Sequence, residues 1–183
     1  MNLQSKYKKE IVPKMKEVFG YKNQHQIPNF TKVVINVGFG RHMKEKAFID
    51  NVVSGLTRIA GQKPVLKKAK KSIASFKLRE GNIIGAAVTL KRQRMYDFLD
   101  KMINVTFPRV RDFRGISDKG VDKTGNITIG FKEHVSFPEI RADEVDNIFG
   151  LEVSVATTAK NRTEGLELFK LAGFPFKKEG DNK

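Results

Sequence analysis

The sequence Thr31-Lys32-Val33-Val34-Ile35-Asn36-Val37-Gly38 carries the pattern that decides the fold. Val33, Ile35 and Val37 recur at every second position, so they lie on one side of an extended segment. Lys32, Val34 and Asn36 lie on the other side. A strand with one apolar side must bury that side against another layer. The segment therefore predicts a sheet that is covered on one face and polar on the other.

The rest of the chain alternates between strand and helix patterns. Alternating segments predict strands at residues 84–91, 127–132 and 151–156, and a short strand at 65–69. Apolar residues at helical spacing predict helices at 3–19, 47–60, 94–105 and 163–171. Pro13 interrupts the first helix and Pro108 ends the third. No repeat or linker divides the sequence, so we predict a single domain spanning 1–183, with a projecting loop at 72–83 and a flexible tail at 177–183.

The charge of the chain is large and unevenly placed. Lys and Arg number 35 against 20 Asp and Glu, which gives a net charge of +15 and favours polyanionic partners. The stretch from Lys63 to Arg94 holds ten basic residues and one acidic residue, a net +9. Such a run repels itself unless a partner neutralises it, and phosphate contacts release counterions. We therefore predict a nucleic-acid contact here in preference to a merely solvated face.

The polar sides of the predicted strands share a composition of small or hydrogen-bonding residues. A solvated sheet face usually carries more Glu, Lys and Arg, whereas small side chains let a bulky partner approach the backbone. Double-stranded RNA is recognised by shape, phosphate and 2′-hydroxyl contacts, which suits a flat surface of this kind. The sequence thus predicts an α+β fold: an antiparallel sheet with helices packed on one face and the other face open for RNA. The residues expected on the open face are Asn36, Gly85, Ala87, Thr89, Lys91, Thr128, Gly130, Lys132, Ser154 and Ala156.

The sequence offers no set of residues for catalysis, a cofactor or a metal. The chain has no Cys, and its three histidines are isolated from one another, so neither a thiolate site nor a zinc site is expected. The acidic residues Glu139, Asp143, Glu144 and Asp146 cluster, and a solvated turn or a contact for a basic protein partner is preferred to a paired acid/base role. The longest largely apolar run, residues 83–90, is too short to cross a bilayer, which needs about 20 residues. We expect a soluble, intracellular, non-enzymatic protein with no membrane association.

Several long motifs stand together in the sequence. They are Val33-Val34-Ile35-Asn36-Val37-Gly38-Phe39-Gly40, Gly61-Gln62-Lys63-Pro64, Lys68-Ala69-Lys70-Lys71-Ser72-Ile73-Ala74-Ser75-Phe76-Lys77-Leu78-Arg79-Glu80-Gly81, Val88-Thr89-Leu90, Pro108-Arg109-Val110-Arg111-Asp112-Phe113-Arg114-Gly115, Phe137-Pro138-Glu139-Ile140, Thr157-Thr158-Ala159-Lys160 and Gly173-Phe174-Pro175-Phe176. In their order and spacing they resemble the family of the bacterial large-subunit ribosomal protein that binds 5S ribosomal RNA, protein five of that subunit. The resemblance runs from about Tyr7 to Lys177.

The resemblance implies a structural protein of the large ribosomal subunit in the cytoplasm. Such a protein helps to attach 5S rRNA in the central protuberance, beside large-subunit rRNA and neighbouring large-subunit proteins. It also contacts the peptidyl-site tRNA and bridges to a small-subunit head protein. By position, the implied rRNA-binding residues are Asn36, Gln62, Lys63, Lys67, Lys68, Lys70, Thr89, Lys91 and Arg92. The loop from Ser72 to Ile83 resembles the one that reaches the tRNA, and its contacting residues would be Ser72, Ser75, Lys77 and Arg79.

The sequence departs from the family pattern in two places. Many relatives read Phe-Asp-Gly-x-Gly-Asn-Tyr where this chain has residues 121–127, which lack the first Gly and both aromatics. Arg92 is a Gly in some relatives.

Two other functions are open on the residues alone. A general nucleic-acid-binding module would remain off the ribosome. An enzyme acting on nucleotides would bind them saturably through the turn from Gly38 to Gly40, where Met43 replaces the third glycine of a dinucleotide fingerprint.

Overall fold

The β-sheet confirms the α+β prediction. The computed structural model describes residues 2–141 and 147–177. Expectations about Asp143, Glu144 and Asp146, and about the tail beyond Lys177, lie outside these ranges. Five strands form one antiparallel sheet in the order β2-β3-β1-β5-β4. Their bounds are β1 Phe30–Gly38, β2 Val65–Lys68, β3 Ile83–Leu90, β4 Ile127–Phe131 and β5 Leu151–Thr157.

The alternation in β1 produces the expected two-sided strand. Val33 and Ile35 are 0% exposed and Val37 is 1% exposed, whereas Lys32 and Asn36 are exposed. The same alternation continues in β4, where exposed Thr128 and Gly130 separate three buried residues. One face of the sheet is therefore a core face, as the period of two in the sequence predicts.

The helices agree with the predicted segments to within a few residues. Their bounds are α1 Leu3–Lys6, α2 Val12–Phe19, α3 Lys46–Ala60, α4 Arg92–Lys101, α5 Phe107–Arg109 and α6 Arg162–Ala172. The helix α3 buries Val52, Leu56 and Ile59, all at most 1% exposed, and each such burial stabilises the fold by about 1.5–3 kcal/mol. Gly61 ends α3 with a φ of 64°, a left-handed cap that glycine adopts without steric cost.

Two π-helical segments explain how proline fits inside helical stretches. The segment Tyr7–Ile11 joins α1 to α2, and Met102–Thr106 joins α4 to α5. In each case a proline, Pro13 or Pro108, lies at the start of the helix that follows. Each proline thus stands inside a continuous helical stretch, where it has no N–H to donate to the preceding turn, and the π-helical segment before it is where the stretch departs from regular α-helix. The prediction that Pro108 ends the third helix was therefore wrong: Pro108 opens a last turn, and Val110 is the first extended residue.

The chain divides into two compact units. One comprises Met1–Val33, Leu90–Ile129 and Ser154–Lys183, and the other Val34–Thr89 and Gly130–Val153. In the first unit, Phe169 packs between Phe30 and Phe174, with ring centroids 5.8 and 4.9 Å away. In the second unit, the buried faces of α3, β1 and β3 supply the core. The single-domain assignment stays a prediction.

The polar sheet face differs from expectation at Gly85 and Ala87, which are buried rather than open. A Cβ added to Gly85 would lie 2.9 Å from the backbone oxygen of Val37. The neighbouring strand therefore approaches so closely that only hydrogen fits there. Asn36 and Thr89 are exposed, as expected.

The loop at 121–127 is held by its own polar groups. The carboxylate of Asp122 accepts hydrogen bonds from the backbone N–H groups of Thr124 and Asn126, at 2.9 and 2.8 Å, and from both of their side chains. Burial opposes ionisation, but these four donors outweigh it and lower the pKa of Asp122. Val121 is buried and bridges Ile127. This chain thus orders the loop without the aromatics found in many relatives.

Candidate nucleic-acid interface

The edge strand β2 displays the first group of predicted rRNA-binding lysines. All four of its residues, Val65–Lys68, are exposed, and β2 is the outer strand beside β3. Lys67 lies opposite Gly85, and the register shifts between Lys67 and Lys68. Lys63 and Lys70 are exposed beyond the two ends of the strand, and Gln62 is half-buried. The strand therefore presents a row of ammonium groups at one margin of the sheet.

The polar face joins three of the predicted residues. Asn36 follows the buried Ile35 on β1, and Thr89 follows the buried Val88 on β3, so both point away from the core. Lys67 shares the side of Gly85, its directly opposite partner, and hence the side of Thr89. The structure thus brings Asn36, Thr89 and Lys67 onto one face. We call this surface the polar face, defined by these three residues and the small residues Gly85 and Ala87.

Lys91 and Arg92 belong to the other compact unit, at the start of α4. Both are exposed, and Arg92 has a φ of 53°, which is left-handed. A non-glycine residue in this conformation costs about 1–3 kcal/mol. Lys91 is the residue that precedes the first turn of α4. Their positions relative to the polar face are a prediction from sequence.

The predicted projecting loop is an ordered extension of the β2–β3 hairpin. Ala69 N–H donates to the oxygen of Asn82, and Gly81 N–H donates to the oxygen of Ala69, at 2.8 and 3.0 Å. Farther out, Ile73 and Leu78 exchange two backbone hydrogen bonds of 2.9 and 3.1 Å. We call residues 72–80 the hairpin tip. It is built by backbone pairing and is not an irregular loop.

The hairpin tip presents the predicted tRNA-contacting residues. Ser75, Lys77 and Arg79 are exposed, and Lys77 has a left-handed φ of 52°. Ser72 is used partly within the tip, because its Oγ accepts a 2.9 Å hydrogen bond from the N–H of Glu80. An open cavity of about 700 Å³ lies along the tip. It is lined by Ser72, Ala74, Lys77, Leu78, Arg79 and Glu80.

The structure adds one residue that the sequence analysis did not single out. Phe76, at the end of the short 3₁₀ turn Ala74–Phe76, is 71% exposed. It stands between Lys71 and Lys77 in a segment that has neither strand nor helix periodicity. That lack of periodicity was the available signal, because an aromatic side chain outside any periodic pattern has no assigned core position.

The histidines do not form a reactive site. His134 is buried and stacks on Phe149, and burial lowers its pKa. His42 stacks on Phe48 with its Nδ1 3.2 Å from Glu45 Oε1. Within residues 2–141 and 147–177, no group of three or more His, Asp or Glu residues is placed to hold a metal ion.

The turn from Gly38 to Gly40 lacks the geometry of a nucleotide site. It leads into a 3₁₀ turn, Gly40–His42, and α3 begins only at Lys46. A dinucleotide fingerprint needs its glycines directly at the N-terminus of an α-helix, where N–H groups meet the phosphates. Because α3 does not begin directly after Gly40, this turn does not have that arrangement.

No helix in the described part of the chain is long and apolar enough to cross a membrane.

Comparisons with known proteins converge on one family. Residues 23–79 match the family model described as ribosomal protein L5, and residues 83–176 match the model that describes the C-terminus of the same ribosomal family. The large ribosomal subunit protein uL5 of Desulforapulum autotrophicum is 57% identical over 175 residues, covering 96% of this chain and 98% of that protein. The protein of the same name from Geotalea daltonii is 53% identical over 171 residues, covering 93% and 96%.

Proposed function

The chain belongs to the ribosomal protein L5 family, and from this premise we propose that it binds 5S rRNA and helps to attach it to the large ribosomal subunit. Its relatives are named as large-subunit proteins. The chain is accordingly a ribosomal protein, located in the ribosome and so in the bacterial cytoplasm, and it is not an enzyme. Ribosomal RNA and neighbouring large-subunit proteins are its general partners.

The observation that carries the 5S proposal is the pairing of the polar face with the lysines of β2. Asn36 and Thr89 offer uncharged hydrogen-bond donors and acceptors. Gly85 and Ala87 are small and buried, so no long side chain projects from β3 at these two positions. A wide, shallow RNA minor groove presents 2′-hydroxyls to such a surface. Lys67 and Lys68 lie at its margin, where the phosphates of a docked duplex would run. Gln62, Lys63 and Lys70 extend the same contact, and Lys91 and Arg92 are further proposed contacts to the RNA.

We propose a second contact for the hairpin tip, with the tRNA in the peptidyl site. The tip is held apart from the polar face by the paired stretch through Ala69 and Asn82. Lys77 and Arg79 supply exposed cations, and Ser72 and Ser75 supply hydroxyl groups. Each phosphate contact contributes only a part of the total affinity. A contact with few charges therefore suits an RNA that must bind and then dissociate. A bridge to a small-subunit head protein completes the proposal.

The test of the main proposal compares two RNAs of equal length. Purified protein is titrated with 5S rRNA and with an unrelated duplex RNA at several salt concentrations. We expect tighter binding to 5S rRNA at every salt concentration, with affinity falling steeply as salt rises. Equal affinity for both RNAs would leave only general RNA binding. Sedimentation of ribosomes in high-magnesium buffer separates the remaining alternative, since a module that acts elsewhere would stay in the supernatant.

A further inference from the structure

The hairpin tip exposes an aromatic ring that the structure does not use for packing. Phe76 is 71% exposed, more than any other large hydrophobic residue in the described part of the chain. It makes no ring contact with another aromatic residue within residues 2–141 and 147–177. A phenyl ring left in water forgoes favourable burial. A single exposed apolar side chain is common on protein surfaces, so the meaning of this one depends on the residues around it.

The backbone of the tip fixes this exposure. Ala74 to Phe76 form a 3₁₀ turn that ends at Lys77, whose N–H donates to the oxygen of Ala74 at 3.0 Å. Lys77 takes the left-handed conformation, with a φ of 52°. The paired backbones of Ile73 and Leu78 close the turn from below. The backbone of the turn therefore determines the position from which the ring projects.

Cations flank the ring on both sides along the hairpin. Lys70 and Lys71 precede the tip, and Lys77 and Arg79 follow Phe76; all four are exposed. One aromatic ring among several cations matches the chemistry of single-stranded or unpaired nucleic acid, in which bases stack on rings while cations hold the phosphates. An inserted membrane contact would need a larger apolar area, and the neighbouring apolar side chain in the tip, Ile73, is only 42% exposed.

We propose that Phe76 stacks on the face of an accessible nucleobase in the tRNA that the hairpin tip contacts. This inference rests on the proposed function and adds the chemistry of its ligand. Phe76 contacts a base that has one unstacked face, and Lys77 and Arg79 contact the neighbouring phosphates. Stacking tolerates all four bases, because every base has a π face. The contact therefore suits a protein that must accept every tRNA in turn.

The test compares aromatic and aliphatic side chains at one position. Large subunits are reconstituted with the wild-type chain, Phe76→Tyr or Phe76→Leu, joined to small subunits, and loaded with deacylated tRNA in the peptidyl site. We expect Phe76→Leu to weaken tRNA retention by about 5- to 150-fold, the range for one lost base stack. Phe76→Tyr should stay within about twofold of wild type, because it keeps the π face. Because the side chain is exposed, we expect the three chains to be equally stable, and thermal unfolding of the free protein checks this.

The outcomes separate the stacking inference from the function on which it rests. Wild-type retention by Phe76→Leu, together with a loss for the Lys77→Ala and Arg79→Ala double variant, would overturn stacking and leave the tRNA contact standing. Full retention by both would overturn the tRNA contact as well. Unchanged tRNA retention combined with binding to anionic phospholipid vesicles that requires Phe76 would replace the nucleobase with a membrane surface.

A fluorescence measurement gives an independent readout, because the chain contains no Trp. The Phe76→Trp variant places a single indole at the tip, and Val18→Trp places one at another exposed apolar position, 61% exposed. We expect deacylated tRNA to quench the emission of Phe76→Trp and leave that of Val18→Trp unchanged. Equal emission changes in both variants would contradict a specific stack.

Discussion

The imidazole of His134 lies flat on the ring of Phe149, with centroids 3.8 Å apart and planes 8° from parallel. The two residues also share two hydrogen bonds: Phe149 N–H donates to Nδ1 at 3.3 Å, and His134 N–H donates to the oxygen of Phe149 at 3.0 Å. An Nδ1 that accepts a hydrogen bond carries no proton. The hydrogen bond to Nδ1 therefore requires neutral His134. Together with the ring stack, it holds the residues that lead into β5.

This arrangement predicts a stability that falls in acid. Burial lowers the pKa of His134 from its ordinary 6.5, although the charge of Glu133 acts in the opposite direction. As pH falls below about 6.5, the unfolded chain takes up the proton before the folded chain does, so the stabilisation is present above that pH and is lost below it. We expect His134 to contribute a slope of up to ~1.4 kcal/mol per pH unit to the free energy of unfolding. Urea unfolding between about pH 7.5 and pH 5 measures it.

The control removes one imidazole at a time. His134→Asn keeps an acceptor for the N–H of Phe149 but cannot titrate, so its stability should depend less on pH than that of the wild type. His25→Asn removes an exposed imidazole and serves as the control for a His-to-Asn substitution elsewhere in the chain. If His134→Asn and wild type share one slope, His134 titrates alike in the folded and unfolded chains.

The contact between Gly125 and Gly165 predicts a large steric effect. A Cβ added to Gly165 would come 2.4 Å from the Cα of Gly125, which is backbone and cannot swing aside. We expect Gly165→Ala to lower the free energy of unfolding by about 1–3 kcal/mol or more, because the 121–127 loop must move away from α6. Gly130→Ala is the matched control, since nothing lies within 4 Å of the added carbon. Equal stability of the two variants in urea would show that the loop yields without cost.

The separation of the polar face from the hairpin tip predicts two distinct binding defects. We expect Asn36→Ala with Thr89→Ala to weaken 5S rRNA binding by about 5- to 150-fold, the equivalent of two hydrogen bonds of about 0.5–1.5 kcal/mol each. Lys77→Ala with Arg79→Ala should spare 5S rRNA and speed the loss of tRNA from the peptidyl site. Filter binding measures the first effect, and tRNA dissociation from reconstituted ribosomes measures the second. The same pattern of defects in both double variants would contradict the division.

The lysines of β2 predict a change in salt dependence. Each phosphate neutralised contributes about −0.7 to −0.9 to the slope of log affinity against log salt. We expect Lys67→Ala with Lys68→Ala to make the slope for 5S rRNA shallower by roughly 1.4–1.8. Lys123→Ala with Lys160→Ala removes two exposed lysines outside the proposed interface and should leave the slope alone. A matching change in both double variants would mean that net charge, and not the position of these lysines, governs binding.

Local patterns in the sequence predicted most of the elements for simple geometric reasons. Val33, Ile35 and Val37 are buried because alternate residues of a strand share a side. The helix α3 was visible because Val52, Leu56 and Ile59 recur at helical spacing. The π segments before Pro13 and Pro108 were not visible, since no local composition distinguishes them from α-helix. They depend on how the chain absorbs a proline within a continuing helix.

The candidate site, like the fold, could be predicted from the sequence only in part. The charge between Lys63 and Arg94 indicated a polyanion, and the motifs indicated the family. Neither could show that Gly85 is buried against the backbone of Val37, that Ser72 is engaged by Glu80, or that Phe76 stands free at the tip. The first depends on pairing between strands far apart in the chain, and the other two depend on how the backbone of the hairpin tip turns.

The sequence by itself determined the α+β class, the strand faces, the excess of positive charge and the family, because period, composition and motif are local properties. Only the tertiary structure decided which of those residues meet. It set Lys67 opposite Gly85, buried Gly85 and Ala87 where an open face was expected, and paired the backbone of the predicted loop as a hairpin. The physical reason is that the hydrogen-bond register between strands fixes which side chains are neighbours, and register is settled by the packing of the whole sheet.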